Sequence, residues 1–282
     1  PVLSVPPCMF RIRHALLLIL QTGNSFTTLG TPFFRGYLGS AALSKKRPSM
    51  DTPSTPSEAS DKKQKGNGEE DDSKGNGGHA MLYLCRHGET YWNAEARIQG
   101  QTDTELNDKG IHQAKLLAQA MEKWPCTALI SSDLKRAYNT AEILREGWVK
   151  AGREVPKLIP DKRLREIHAG DLQGKLTHSK EVEGLRKGLY RRWKCGEEDA
   201  KYPGGGESLL DLVTRAYKAL DDAAIRAGNG GHAVVVCHGG LMRSVVTDIL
   251  RKERRKMPMP PATNCCVCTF RYDLSTKKIT IV

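Results

Sequence analysis

Hydrophobic and polar positions divide the chain into two parts. From Ala80 onward, short apolar runs alternate with longer segments whose apolar residues recur at helical spacing. Residues 50–79 are instead rich in Pro, Ser, Gly, Asp and Lys and contain almost no large apolar side chains. Such a segment buries too little surface to offset its conformational entropy. We therefore expect a disordered linker over residues 50–79 and a globular domain over residues 80–282.

The globular part predicts strands and helices in alternation. Apolar runs that end in polar or glycine turns predict buried strands at 81–85, 127–131 and 232–237. Apolar residues at helical spacing predict helices at 108–123, 134–151, 182–194, 208–226 and 241–252. Polar or irregular stretches at 91–107, 161–176 and 203–206 separate them, with an extended piece at 157–160 and a terminal hairpin formed by 265–272 and 277–282. This order predicts a three-layer α/β fold, a mostly parallel sheet with helices on both faces.

Charge adds a preference for anionic ligands. The formal net charge of the 282 residues is +12, of which about +9 belongs to the part from Ala80 onward. No basic run with interleaved aromatic residues is present, so we expect no nucleic-acid partner. Only 39% of the residues are hydrophobic, which agrees with a chain that is partly unpacked.

Residues 1–49 have the composition of a targeting segment or of a non-native extension. They contain Arg and Ser/Thr but no Asp or Glu, as in organelle transit peptides. The apolar run Ala15–Leu20 follows Arg11 and Arg13, which also resembles a secretory signal, and it is shorter than the about 20 residues of a membrane span. A non-native extension that ends before Met50 is the third alternative, and the start at Pro1 leaves a fragment open. The expected location is cytoplasmic, or plastid or mitochondrial if the segment is a transit peptide.

The eight cysteines have the pattern of buried thiols. Cys85, Cys237 and the group 265–268 fall inside predicted strands, where Cys behaves as a small hydrophobic residue. The 265–268 group lacks a matching second pair, so we expect no zinc site.

Two predicted strands end in a similar way, Arg86-His87-Gly88 and His238-Gly239-Gly240. If these strands are parallel neighbours, both histidines emerge at the edge where open α/β sheets bind ligands. The planar guanidinium of Arg86 suits a phosphate group, and a histidine can act as nucleophile, base or metal ligand. We expect the two histidines and Arg86 to form a compact cationic pocket.

Further candidates lie outside these two strand ends. Arg136 follows Ser132-Asp133, a predicted helix N-cap, and helix N-termini attract anions. Asn93 and Gln99 offer donors in the loop after the first strand.

Glu166 is the candidate proton donor. It is flanked by apolar and small residues, so we expect a partly buried carboxyl that holds its proton and donates it to a leaving oxygen. Glu89 and Glu207 are rivals for this role.

Taken together, ordered blocks of residues resemble the phosphoglycerate mutase-like histidine phosphatase superfamily. The blocks are Arg86–Thr90 with Trp92-Asn93, Gln99-Gly100, Ser131–Ala137, Glu166–Gly170, Gly206–Ser208 and Val236–Gly240. The resemblance implies a phosphoglycerate mutase-like fold and a phosphohistidine formed on His87, with no metal or other cofactor. It implies that the other members of the site are the catalytic Glu166 and His238 and the phosphate-binding Arg86, Asn93, Gln99, Gly100, Arg136 and Gly239.

The expected function is hydrolysis of a small phosphorylated metabolite. Only about 40 residues separate Glu166 from Gly206. We call this segment the cover of the inferred pocket, and a cover this short admits water to a phosphohistidine. Phosphoglycerate mutase-type transfer and a non-catalytic phosphate-binding member are the alternatives.

Residues that flank the inferred pocket are expected to face the leaving group: Tyr91, Arg97, Ile98 and residues 171–206. Arg191, Arg192 and Lys201 either bind a second anionic group or are solvated surface charges. The pattern carries no signal for the oligomeric state.

Overall fold

The structure is a computed structural model that describes residues 78–255 and 263–282. The predictions for residues 1–49, and for the linker up to residue 77, lie outside the described residues. The described residues form six strands: β1 His79–Arg86, β2 Ala128–Ser131, β3 Leu158–Pro160, β4 His232–Cys237, β5 Val267–Asp273 and β6 Ile279–Ile281. The helices are α1 Tyr91–Ala94, α2 Asp108–Ala120, α3 Lys135–Lys150, α4 Lys180–Lys194, α5 Leu209–Ala227 and α6 Gly239–Lys252, with short 3-10 turns at Lys162–Leu164 and Gly170–Leu172.

The strands form one sheet in the order β3-β2-β4-β1-β5-β6. The first four are parallel to one another, whereas β5 and β6 add an antiparallel hairpin at the edge. The predicted mostly parallel sheet with a terminal hairpin is confirmed.

Helices cover both faces of this sheet because the central strands are apolar on both sides. Leu82 and Leu84 of β1 pack in a core with α5 and α6. Tyr83 and Cys85, which alternate with them, pack on the opposite face against α2 and α3. The predicted three-layer architecture is therefore confirmed.

The pairing of β1 with β4 positions the site. The two strands are parallel, and Arg86 is in register with Cys237. The residues that follow, His87 and His238, therefore emerge side by side at the carboxyl edge of the sheet.

Two predicted helix starts were wrong in detail. Ser132-Asp133 does not cap α3: Leu134 is the N-cap without a side-chain bond, and Asp133 instead accepts two hydrogen bonds from Arg165. Helix α6 begins at Gly239 and not at Leu241, because His238 has the extended backbone of an N-cap residue.

The prediction that Cys265 and Cys266 lie inside a strand was wrong, although Cys265 is a buried free thiol as expected. They precede β5 in a turn, and Cys265 has a positive φ of 58°. The backbone N–H of Cys265 donates to the carbonyl oxygen of Arg86, and the carbonyl of Cys266 accepts from the N–H of Arg86. The turn thus completes the pairing beside the end of β1, a role that periodicity in the sequence does not reveal.

Among the helices of the described residues, none is both long enough and apolar enough to cross a membrane.

Candidate active site

His87 is buried, with 2% of its surface exposed, and its ring is fixed by its own neighbour. The Nδ1 atom lies 2.6 Å from the carbonyl oxygen of Gly88, which can only accept a hydrogen bond. Nδ1 therefore carries the proton and Nε2 presents its lone pair. Burial, followed by the charges of Arg136 and Arg86, lowers the pKa of His87 well below its ordinary value. The ring is thus neutral at pH 7, as a nucleophile requires.

His238 lies beside His87, with 5.2 Å between the ring centroids. It is fully buried, and within the described residues neither ring nitrogen has a hydrogen-bond partner. Burial lowers its pKa well below the ordinary value, and Arg136 and His87 add to this effect. Both histidines of the expected cationic pocket are therefore neutral. The arginines supply the positive charge, and His238 offers two unsatisfied nitrogens to a ligand.

Arg136 is fully buried in the first turn of α3. Its Nη1 and Nη2 donate to the carbonyl oxygens of Thr102 and Gly100, each at 2.8 Å, while Nε has no partner among the described residues. Burial lowers its pKa to about 10, so it stays charged at neutral pH.

Arg86 packs over the start of α6, where a Cβ at Gly239 would lie 3.1 Å from its Nε. Burial also lowers the pKa of Arg86, and Glu166 opposes the effect.

Glu166 joins this cluster from the irregular segment after β3. Its Oε2 accepts from the N–H of Gly240 at 2.8 Å, and its Oε1 accepts from Leu241 and from Ile167, each at 3.0 Å. These hydrogen bonds fix the carboxyl at the N-terminus of α6. That it holds a proton for the leaving oxygen stays a prediction. A Cβ at Gly240 would overlap Oε1, which explains the second glycine of the His-Gly-Gly sequence.

Arg215, on α5, holds the Glu166 segment in place and was missed by the sequence analysis. Its guanidinium donates to the carbonyl oxygens of Arg163, Arg165 and Glu166 at 2.5–2.9 Å. It also forms a two-pronged ion pair with Glu207, at 2.8 Å on each side. A lone arginine in a helical pattern gives no indication of such distant partners.

The two rivals of Glu166 are engaged elsewhere. Glu207 is bound by Arg215 and also accepts from the N–H of His168. Burial alone would raise the pKa of Glu89, but hydrogen bonds from Lys109 and Asn107 outweigh burial and lower it. Both carboxylates are therefore bound by side chains, whereas Glu166 accepts its hydrogen bonds from backbone N–H groups.

The remaining predicted phosphate ligands surround the same edge. Asn93 Oδ1 accepts from the N–H of Thr90, and Gln99 Oε1 accepts from the hydroxyls of Thr90 and Thr104. The amide nitrogens of both side chains therefore remain as donors. Gly100 acts through its carbonyl, which orients Arg136.

Asn264, also missed by the sequence analysis, ties two of these residues together. Its Nδ2 donates to the carbonyl oxygen of His87 at 3.0 Å and to Oδ1 of Asn93 at 3.3 Å. It stands alone in the sequence, so no spacing signal marks it.

Two of the three residues considered for binding a second anionic group are surface charges paired with carboxylates. Arg192 pairs with Glu197 at 2.8 Å, and Lys201 pairs with Asp211 at 3.3 Å, both more than half exposed. Arg191 is exposed as well. Arg97 and Ile98 contact residues 174–176 of the cover instead, through backbone pairing.

For metals, the described residues contain no group of three or more His, Cys, Asp or Glu side chains arranged to hold an ion.

Comparison with known proteins agrees with this geometry. Residues 82–282 match the family model described as histidine phosphatase superfamily, branch 1. Phosphoglycerate mutase-like protein 4 of Arabidopsis thaliana is 41% identical over 183 residues, which cover 64% of this chain and 74% of the relative. The metal-independent phosphoserine phosphatase of the same plant is 38% identical over 170 residues, covering 60% and 68%.

A solved structure supports the same assignment. The mycobacterial glucosyl-3-phosphoglycerate phosphatase in complex with VO3 superimposes with a TM-score of 0.55 at 29% identity, covering 72% of this chain and 96% of the other. Two of these three relatives are named as phosphatases. The family match extends over most of the chain and includes every residue of the cluster built above. This chain belongs to the histidine phosphatase superfamily, branch 1.

Proposed function

We propose that this protein hydrolyses phosphomonoesters through a phosphohistidine on His87. The observation that carries the proposal is the bond from His87 Nδ1 to the Gly88 carbonyl, which leaves a neutral Nε2 lone pair among buried arginines. Arg136 Nε and both ring nitrogens of His238 are buried and have no hydrogen-bond partner among the described residues, as a site that receives a phosphate dianion requires.

In the first step the Nε2 lone pair attacks phosphorus and the bond from phosphorus to the leaving oxygen breaks. The leaving oxygen takes a proton from Glu166, so the alcohol departs neutral. Arg86 and Arg136 balance the charge on the phosphoryl oxygens, and Asn93 and Gln99 add amide donors. The proton on Nδ1 stays with the ring and donates to Gly88 throughout.

In the second step water attacks the phosphohistidine. The Glu166 carboxylate accepts the proton of the water, the bond from Nε2 to phosphorus breaks, and inorganic phosphate leaves. The ring returns to its neutral state with the proton still on Nδ1. The two arginines supply the positive charge in both steps, so the proposal needs no metal.

The substrate is a small phosphorylated metabolite. Relatives named for phosphoserine and for glucosyl-3-phosphoglycerate support this class. Mutase activity is the second candidate, since other relatives are named probable phosphoglycerate mutases. The short cover between Glu166 and Gly206 favours hydrolysis, because it leaves water access to the phosphohistidine.

The test is hydrolysis of para-nitrophenyl phosphate by the purified protein in the presence of a chelator. We expect turnover without added metal and its loss in His87→Ala. Unchanged activity in that variant would contradict the mechanism. A parallel assay of 3- to 2-phosphoglycerate conversion, with bisphosphoglycerate added, decides for the mutase if conversion exceeds phosphate release.

A further inference from the structure

Arg186 on α4 has a phenol as its side-chain partner. Within the described part of the chain it forms no ion pair, whereas Lys187 pairs with Glu183 and Arg192 with Glu197. Its Nη2 instead donates to the hydroxyl of Tyr190 at 3.3 Å, and the guanidinium lies 5.7 Å from the centre of that ring. A half-buried arginine without a carboxylate is a site with unbalanced positive charge.

Tyr202 adds a second phenol to this group. It is buried, with 6% of its surface exposed, and its ring packs edge-on against Trp193 at 5.8 Å. It lies within interaction range of both Arg186 and Tyr190. Burial, and then Tyr190, raises the pKa of Tyr202, so its hydroxyl remains a donor.

The position of Tyr202 connects the group to Glu166. The backbone of Tyr202 pairs with Glu207, which in turn donates its N–H to the carbonyl of His168, two residues after Glu166. The charge of Glu166 also acts on the phenol of Tyr202. Since Glu166 protonates the leaving oxygen in the proposed mechanism, the leaving group lies on the side of Tyr202.

We infer that Arg186, Tyr190 and Tyr202 form a subsite that binds a carboxylate on the leaving group of the substrate. The inference rests on the proposed phosphatase function for its orientation. One guanidinium and two hydroxyls match a planar, singly charged carboxylate, with a fork of donors and a balanced charge. A second phosphate dianion would leave an uncompensated negative charge in a half-buried place.

The test compares two esters that share a three-carbon leaving alcohol. 3-Phosphoglycerate carries a carboxylate where glycerol 3-phosphate carries a hydroxymethyl group. We expect Arg186→Met to lower kcat/KM for 3-phosphoglycerate about 10- to 100-fold, the range of a charged hydrogen bond, and to leave glycerol 3-phosphate within about twofold. Tyr190→Phe is expected to show the same selectivity with a smaller loss. Arg191→Met, an exposed arginine of the same helix, is the matched control and should change neither.

Equal losses on both esters would overturn the subsite, because they would indicate a structural role for Arg186. The assignment to a carboxylate would be overturned if Arg186→Met lowered kcat/KM only for propane-1,3-diol bisphosphate and not for the corresponding monophosphate. A calorimetric measurement separates this inference from the proposed function, because His87→Ala binds without turnover. The affinities of 3-phosphoglycerate and glycerol 3-phosphate are compared in His87→Ala and in His87→Ala/Arg186→Met. A preference for 3-phosphoglycerate that Arg186→Met removes supports the subsite even if no ester is hydrolysed, and an unchanged preference overturns it.

Discussion

The Nδ1 atom of His87 donates to the carbonyl oxygen of Gly88, the next residue along the chain, at 2.6 Å. The bond commits the ring to one tautomer and leaves only Nε2 as a nucleophile. We expect rapid quenching with excess substrate to trap a phosphoenzyme that is stable in alkali and lost in acid. Its phosphate should lie on Nε2, as NMR of the labelled peptide would show. Phosphate on Nδ1 or on a hydroxyl would contradict this geometry.

Glu166→Gln tests the proton donor. An amide cannot protonate the leaving oxygen, so we expect kcat for alkyl phosphates to fall about 10²- to 10⁴-fold. The first step with para-nitrophenyl phosphate should suffer less, because its leaving group departs without a proton. Glu89→Gln is the matched comparison, since Lys109 and Asn107 donate hydrogen bonds to the Glu89 carboxylate. If Glu89→Gln showed the larger loss on alkyl phosphates, the assignment would pass to Glu89.

Arg215 is a positioning residue, since it binds the carbonyl oxygens around Glu166. We expect Arg215→Met to lower kcat at least about tenfold, because displacement of a catalytic group by about 1 Å is enough for that. The pH profile should change as well, whereas KM should change little. Arg226→Met, an exposed arginine of the same helix, is the control. Loss of thermal stability with an unaltered pH profile would show that Arg215 has a structural role only.

Gly110 lies against the turn that carries the nucleophile. A Cβ there would overlap the carbonyl oxygen of Glu89, and a Cβ at Gly88 would in turn lie against Gly110. We expect Gly110→Ala to lower the free energy of unfolding by about 1–3 kcal/mol, measured by denaturant titration. Gly184→Ala, in α4 with open space around it, should raise that energy by about 0.5–1 kcal/mol. Equal effects at the two positions would refute the close approach.

The buried histidines also predict how stability depends on pH. The pKa values of His87 and His238 are lower in the folded protein than in the unfolded chain, so the unfolded chain binds more protons in acid. Their contribution is complete above the unfolded value of about 6.5 and is lost as pH falls below it, by up to about 1.4 kcal/mol per pH unit for each histidine. His238→Asn should reduce this slope, whereas His112→Gln, at an exposed position, should not. A slope that His238→Asn leaves unchanged would contradict the burial argument.

The sequence by itself determined the layers and the edge at which the site lies. Apolar runs that end at Arg86 and at Cys237 require strands buried on both faces, and such strands are parallel and covered by helices. That requirement places His87 and His238 at one edge, and the residue types at that edge predict phosphate chemistry. These inferences succeed because they depend on local periodicity and on a general rule of sheet topology.

Only the tertiary structure decided how the side chains are held. The Gly88 bond of His87, the cap that Glu166 makes on α6, and the contacts of Arg215 and Asn264 join residues far apart in sequence or depend on exact backbone direction. The same holds for protonation. An ordinary histidine titrates near neutral pH, and only the structure shows that burial among arginines keeps both rings neutral. A local sequence pattern contains neither the distances between side chains nor their desolvation. Both were needed to identify, within a set of phosphate-binding residues, the nucleophile, its tautomer and its proton donor.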